Sequence, residues 1–66
     1  MELTVNGEKI ELPPGSTVQQ LLDRFKLQPV RVAVELNRDI VAKRLFTTTS
    51  LAPGDIVEIV TFVGGG

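Results

Sequence analysis

The stretch IVEIVTF, residues 56–62, is the most apolar run of this 66-residue chain and predicts its central β-strand. β-Branched residues dominate it, and the turn signal Pro53-Gly54-Asp55 comes directly before it. Both faces of the predicted strand are apolar, whereas a strand with one face in water normally alternates apolar and polar residues. We predict that this strand lies beside the first strand and that Val57 and Ile59 face the core.

A β-hairpin is predicted at the start of the chain. Two short alternating segments flank Asn6-Gly7, a pair that tolerates the positive φ angles of a type I′ turn. The residues expected on the inward face of this hairpin are Leu3, Val5, Ile10 and Leu12.

One helix follows the hairpin. Its apolar residues recur at the spacing of a single helical face: Val18, Leu21, Leu22 and Phe25. Ser16 and Gln19 match a capping box, and Pro29 ends the pattern, so we predict a helix from Thr17 to about Lys26. A helix this short is marginal alone, so it must dock on a sheet.

The remaining elements complete an α+β domain. Residues 30–36 predict a strand, Asn37-Arg38-Asp39 a turn, and Ile40-Val41 a short edge strand. Residues 43–50 have no clear pattern, although we expect Leu45 and Phe46 to be buried. The order ββαβ(β)β, with one helix to cover one face of a mixed sheet, predicts a half-open roll.

Composition argues against catalysis by side chains. The chain has no Cys and no His, so it lacks a thiolate nucleophile, the usual near-neutral base and the soft metal ligands. Its eight carboxylates are scattered and form no calcium-binding loop motif. A domain of this size also leaves little room for an enclosed pocket. We therefore predict no catalytic side chain, no metal site and no bound cofactor.

Charge and hydropathy exclude two other classes. The formal net charge is −1, with seven basic and eight acidic residues interspersed, which does not resemble a nucleic-acid-binding surface. No run reaches the roughly 18 apolar residues of a membrane span, and the N-terminus lacks a signal-peptide pattern. We therefore expect a cytoplasmic protein that binds neither nucleic acid nor membranes.

The chain ends in Val63-Gly64-Gly65-Gly66, which we predict to be a flexible tail after a domain of residues 1–62. Three glycines contribute no side-chain packing, but a narrow extended segment can enter the active site of another protein. Four extended residues reach at most about 14 Å. The alternative is a frayed end or a remnant of expression.

An apolar strip is predicted to lead into this tail and to bind a partner: Val60, Phe62 and Val63. Because one helix covers one face of the sheet, Val60 and Phe62 are left on the other face. Residues 45–51 could instead fold over Val60 or Phe62, and for Val60 both arrangements remain open. For Phe62 we favour a partner.

Several stretches resemble the sulfur carrier proteins of bacterial thiamine biosynthesis. They are VAVELN at residues 32–37, PGD at residues 53–55 and VEIVTFVGGG at residues 57–66, together with the Asn6-Gly7 hairpin and the Ser16-Thr17-Val18 helix start. The resemblance covers essentially the whole chain, and its most specific part is the ending. It implies the β-grasp, ubiquitin-like fold.

The resemblance also implies a function. The terminal Gly66 would be activated with ATP as an acyl-adenylate by an adenylating enzyme of the ubiquitin-activating type. It would then become a thiocarboxylate, with sulfur from a donor protein, and deliver that sulfur to thiazole synthase. Gly64 and Gly65 would leave room around the reacting carbonyl. The chain would thus be a protein co-substrate and not an enzyme.

The chain departs from the family pattern at four positions. Arg38 stands in a turn where the family often has Gly, so we expect that turn to be reshaped. Ala42, Arg44 and Phe46 replace residues that are commonly Pro, Ser and Trp.

Three other functions remain as alternatives. The small, sulfur-carrying subunit of molybdopterin synthase would share the chemistry but serve another pathway. A β-grasp interaction module with an inert tail would bind partners without any use of Gly66. A protein-modifying relative of ubiquitin would form conjugates on lysines of other proteins.

Overall fold

The structure is a computed structural model that describes residues 1–62. The predicted tail, including Val63, Gly64, Gly65 and Gly66, lies outside the described residues. The described elements are strands β1 (Glu2–Val5) and β2 (Glu8–Glu11), helix α1 (Val18–Arg24), a 3₁₀ turn (Pro29–Arg31), strands β3 (Val32–Leu36) and β4 (Asp39–Val41), a second 3₁₀ turn (Lys43–Leu45) and strand β5 (Ile56–Thr61).

The strands of residues 1–62 form one mixed sheet in the order β2-β1-β5-β3-β4. Strand β5 lies in the centre beside β1, as predicted. It is parallel to β1 and antiparallel to β3. Helix α1 packs on one face of the sheet through the fully buried Val18, Leu21 and Leu22. This is the β-grasp arrangement, and the prediction of an α+β fold is confirmed.

The core lies between α1 and the sheet. Val57 and Ile59 are buried in it, which confirms the inward face predicted for β5. The hairpin supplies Leu3, Val5 and Leu12, while Ile10 is half-buried at the edge of the core.

Two apolar residues predicted to be buried are exposed. Phe25 is 42% exposed because the helix ends at Arg24, which leaves Phe25 as the C-cap. Leu45 is 38% exposed, whereas the adjacent Phe46 is 2% exposed and fills the core. The short turn at Lys43–Leu45 directs one of these two consecutive side chains inward, not both.

The N-terminus of α1 begins one residue later than predicted. Thr17 is the N-cap: its Oγ1 accepts from the Gln20 N–H (3.2 Å), and the Thr17 N–H donates to Gln20 Oε1 (2.8 Å). The predicted cap, Ser16, is buried, and its hydroxyl donates to the Pro13 carbonyl (2.7 Å). The capping box is therefore present but shifted by one residue.

The unpatterned segment at residues 43–50 completes this helix end. The N–H of Val18 donates to the Thr49 carbonyl (3.0 Å), and the N–H of Gln19 donates to the Phe46 carbonyl (2.9 Å). These are among the first donors of the helix, which have no partner within it. The segment thus buries Phe46 and also satisfies the backbone of α1.

Two tight turns use positive φ angles. Asn6 (φ 50°) and Gly7 (φ 82°) connect Val5 and Glu8, which are opposite each other in the register, so the predicted hairpin is confirmed. Asn37 (φ 51°) and Arg38 (φ 74°) connect β3 and β4 in the same way. Arg38 thus adopts the backbone conformation that favours glycine, and the expected reshaping of this turn relative to the family stays a prediction.

Strand β3 begins at Val32, two residues later than predicted. Pro29 starts a 3₁₀ turn, and this places Val30 at the surface, where it is 62% exposed. The fixed φ angle of proline suits the first position of such a turn.

Candidate functional site

The open face of the sheet, opposite α1, carries the candidate site. Because Val57 and Ile59 point into the core, the alternate residues of β5 point to the open face. Val60 is 59% exposed and Phe62 is 50% exposed. Phe62 is exposed as predicted, and Val60, for which both arrangements were open, is exposed too. Their role in binding a partner stays a prediction.

Residues 45–51 do not cover Val60, so that alternative is wrong. The apolar residues Phe46 and Leu51 belong to the core on the side of α1. There they pack beneath the helix and not on the open face.

Four exposed apolar side chains form what we call the open-face patch: Ile40, Ile56, Val60 and Phe62. Two pairs of opposite residues on β3 and β5 lie among them on this face: Ala33 with Val60, and Glu35 with Glu58. Ile40 on β4 is opposite Glu35, which places it at the other side of the same row. Exposed apolar surface of this kind commonly marks a protein contact.

The start of β5 is held by the side chain of Asn37. The Ile56 N–H donates to Asn37 Oδ1 (2.9 Å), and the Asn37 N–H donates to the Ile56 carbonyl (2.7 Å). Asn37 Nδ2 also donates to Asp55 Oδ1 (3.0 Å), which joins the turn after β3 to the turn before β5.

The second half of β5 is held by Asn6 after β1 has ended. The Ile59 N–H donates to Asn6 Oδ1 (2.7 Å), and Asn6 Nδ2 donates to the Ile59 carbonyl (3.2 Å). On the other edge of β5, the Phe62 N–H donates to the Arg31 carbonyl (2.8 Å). The backbone is therefore fixed on the sheet as far as Phe62, the last residue before the glycine-containing segment.

Sequence reasoning identified Asn6 and Asn37 as turn residues and missed their contacts with β5. Asparagine tolerates positive φ, and this was the only signal that the sequence offered. The hydrogen bonds to β5 depend on the order of the strands, which the turn chemistry does not specify.

No metal centre or membrane-spanning element is found in the described part of the chain. Residues 1–62 contain no group of three or more side chains that could hold a metal ion. No helix among these residues is long and apolar enough to cross a membrane. The predicted site residues Gly64, Gly65 and Gly66, together with Val63, lie outside the described residues.

Comparison with known families and proteins gives one consistent result. The model of the ThiS family matches residues 1–66. The chain is 37% identical over 65 residues to the sulfur carrier protein ThiS of Bacillus subtilis, with 97% of this chain and 98% of that protein covered. It is also similar to the crystal structure of a thiamine biosynthesis protein, ThiS, from Geobacter metallireducens, with a TM-score of 0.84, 38% identity and full coverage of both chains.

The chain also matches part of a longer protein. It is 39% identical over 66 residues to a thiazole synthase of Paramagnetospirillum magneticum, and spans 20% of that protein.

Proposed function

Since the chain belongs to the ThiS family, we propose that it is a sulfur carrier of thiamine biosynthesis and that Gly66 is the residue that carries the sulfur. The small β-grasp domain presents this residue to enzymes that perform the chemistry. The chain itself then supplies a docking surface and a carboxyl group.

One feature of the structure supports this proposal. The open-face patch runs along β5 to Phe62, and the hydrogen bond from Phe62 to Arg31 fixes the backbone there. Residues 63–66 follow directly. An enzyme that covers the patch therefore has the start of the glycine-containing segment beside it, and four residues can reach at most about 14 Å into its active site.

The chemistry suits a main-chain carboxylate. A carboxylate is a poor electrophile, so one of its oxygens first attacks ATP and displaces pyrophosphate to give an acyl-adenylate. A sulfide-level sulfur nucleophile (HS⁻) supplied by a donor protein then attacks the acyl carbon and displaces AMP, and the product is a thiocarboxylate. Its sulfur is a better nucleophile than the oxygen it replaced. We place this chemistry in the cytoplasm, where ATP is available.

Thiazole synthase is the proposed acceptor of the sulfur. The chain is similar to a stretch of two proteins named thiazole synthase, from Paramagnetospirillum magneticum and Magnetococcus marinus, and spans 20% of each. This similarity supports an association between the carrier and that enzyme. The match to the ThiS family over residues 1–66 favours the thiamine pathway over the molybdopterin alternative.

The proposal is tested by intact mass. The 66-residue chain is incubated with the adenylating enzyme of its own organism, ATP and a sulfur source, and we expect the replacement of one oxygen by sulfur. Fragmentation should place the sulfur at Gly66.

A chain that lacks Gly66 is the control. It should fold normally and should not gain sulfur. If this chain is modified as efficiently as the full one, the assignment of Gly66 is wrong. If neither chain is modified and binding to partners does not depend on Gly66, the interaction module with an inert tail replaces the carrier.

A further inference from the structure

Two pairs of glutamates face each other across strands on the open face of the sheet. Glu2 is opposite Glu11 on β1 and β2, and Glu35 is opposite Glu58 on β3 and β5. Directly opposite residues have Cβ atoms about 4.5–5.5 Å apart, and like charges at that position destabilise a sheet. Each pair is therefore destabilising unless a cation lies beside it.

The first pair is compensated within the chain. The Met1 ammonium group lies 3.4 Å from Glu11 Oε2, and Lys9 Nζ lies 3.9 Å from Glu2 Oε1. The second pair has no such partner: among residues 1–62, no cationic nitrogen lies within 4.0 Å of either carboxylate. The fold thus neutralises the pair at the edge of the sheet and leaves the central pair uncompensated.

The uncompensated pair lines a groove in the open-face patch. Glu35, Glu58 and Ile56 form its walls with Asn37 and Arg38 from the turn between β3 and β4. Arg38 carries the only positive charge among these lining residues, and it forms no ion pair with either glutamate in the described part of the chain. Ile40 and Val60 flank the two carboxylates on β4 and β5.

A partner that covers the patch must compensate the negative charge of Glu35 and Glu58. To bury two carboxylates without a counter-charge is costly, because they lose their hydration. A planar guanidinium can donate to two carboxylates at once and is less strongly hydrated than an ammonium group. The aliphatic part of an arginine can also pack on apolar side chains such as Ile40 and Ile56.

We propose that Glu35 and Glu58 together receive an arginine side chain of the adenylating enzyme that acts on this carrier. The proposal rests on the function proposed above and specifies the chemistry of its docking surface. A second copy of this chain is a poorer occupant, because a symmetric contact through the patch would bring four carboxylates into one interface.

The test is a double substitution, Glu35→Gln with Glu58→Gln. The affinity of this variant and of the original chain for the adenylating enzyme of the same organism is measured by calorimetry at low and high salt. We expect the Kd to rise at least tenfold and its dependence on salt to weaken, because the arginine would be buried without its partners. The free variant should melt roughly 1–5 °C higher than the original chain, because the repulsion within the pair is removed.

The matched control is Glu2→Gln with Glu11→Gln, which changes the net charge equally on the same face of the sheet. Its Kd should stay within about threefold of the original, because its carboxylates are already paired within the chain. Equal effects of the two double substitutions would show that only the total charge matters. An unchanged Kd for the first variant would also overturn the proposal.

The arginine itself is located with a double-mutant cycle. Arginines on the surface of the adenylating enzyme are replaced by alanine one at a time and tested against both carriers. One replacement should weaken binding of the original chain and have little further effect on the Glu35→Gln/Glu58→Gln variant. If no arginine is coupled to the pair, the proposal fails. Conversion of the original chain to the thiocarboxylate would show in that case that the carrier function itself stands.

Discussion

At the scale of single residues, the backbone conformation is least favourable at four non-glycine positions among the described residues. Asn6, Lys26, Asn37 and Arg38 all have positive φ angles. Asparagine enters this region easily, whereas lysine and arginine do so at a cost in free energy. Lys26 and Arg38 lie in main-chain motifs that require a positive φ angle: the end of a helix and a two-residue turn.

Lys26 closes helix α1 in a Schellman motif. Its N–H donates to the Asp23 carbonyl (3.0 Å), and the N–H of Leu27 donates to the Leu22 carbonyl (2.9 Å). The motif usually places glycine at the position of Lys26, where φ is 58°. The hydrogen bonds and the partial burial of Leu27 therefore hold a lysine in an unfavourable conformation.

The first prediction concerns this position. Lys26→Gly should raise the free energy of unfolding by about 0.5–1 kcal/mol, because it removes the strain of the left-handed region. Urea denaturation measures the change. The control Arg24→Gly, at the last residue of the helix, should lower the free energy of unfolding by up to about 1 kcal/mol. A loss of stability in Lys26→Gly would show that its side chain contributes more than the strain costs.

At the scale of elements, β5 depends on side chains where its neighbours are short. Strand β1 ends at Val5, yet β5 continues to Thr61. The Asn6 amide replaces the missing strand by pairing with both the N–H and the carbonyl of Ile59. Two turn residues, Asn6 and Asn37, thereby align the strand that presents the open-face patch.

The second prediction isolates this contact. Asn6→Gly keeps a residue that tolerates positive φ but removes both hydrogen bonds to Ile59. We expect the free energy of unfolding to fall by about 1–2 kcal/mol, because part-buried backbone groups lose their partners. Hydrogen exchange should accelerate at the Ile59 amide.

The matched variant is Asn37→Gly, which removes the corresponding contact at the start of β5. Its effect on exchange should be largest at the Ile56 amide, which donates to the side-chain Oδ1 of Asn37. If both variants accelerate exchange equally at Ile56 and Ile59, the asparagines stabilise the whole fold and do not act locally on β5.

At the scale of the whole molecule, the fold has one covered face and one open face. Among residues 1–62 a single helix packs on five strands, so the apolar residues of the central strand cannot all be buried. The open-face patch follows from this arrangement, and its last member, Phe62, is half exposed. Such a surface stabilises the isolated domain little and is available for a partner.

The third prediction tests that use of the patch. Phe62→Asp should change the free energy of unfolding by less than about 0.5 kcal/mol, since the side chain is half exposed. Binding to the adenylating enzyme should weaken at least tenfold, because a charge would enter an apolar contact. Titration calorimetry measures the affinity, and scanning calorimetry measures the melting temperature.

Phe25→Asp is the control for this experiment. Phe25 has a similar exposure, 42%, but lies at the end of α1 on the covered side of the sheet. Its substitution should leave the affinity unchanged at temperatures where the domain is folded. Equal weakening by both substitutions would place the contact elsewhere.

Local patterns in the sequence were enough to predict much of this fold. Asn6-Gly7 predicts the first hairpin because its backbone preference is a property of two residues. The strand of residues 56–62 is apolar on both faces, so its pattern does not select the buried side, whereas the presence of one helix predicts that one face stays open. These features depend on neighbouring residues or on the count of elements.

Where several local solutions compete, only tertiary structure decided the outcome. Ser16 and Thr17 can both cap a helix, and Thr17 does so where residues 49–51 pair with the helix start, through the Val18 N–H to the Thr49 carbonyl and the Leu51 N–H to the Ser16 carbonyl. Phe46 is buried in place of Leu45 because the 3₁₀ turn directs one of the two inward.

Short-range spacing and the count of elements were enough to predict the first hairpin, the helix, the last strand and one open face of the sheet. The contact of Asn6 with Ile59 and the opposition of Glu35 and Glu58 were decided only by the tertiary structure. The physical reason is that both depend on strand order and register. Register brings distant residues face to face, and it is set by the packing of the whole sheet against α1.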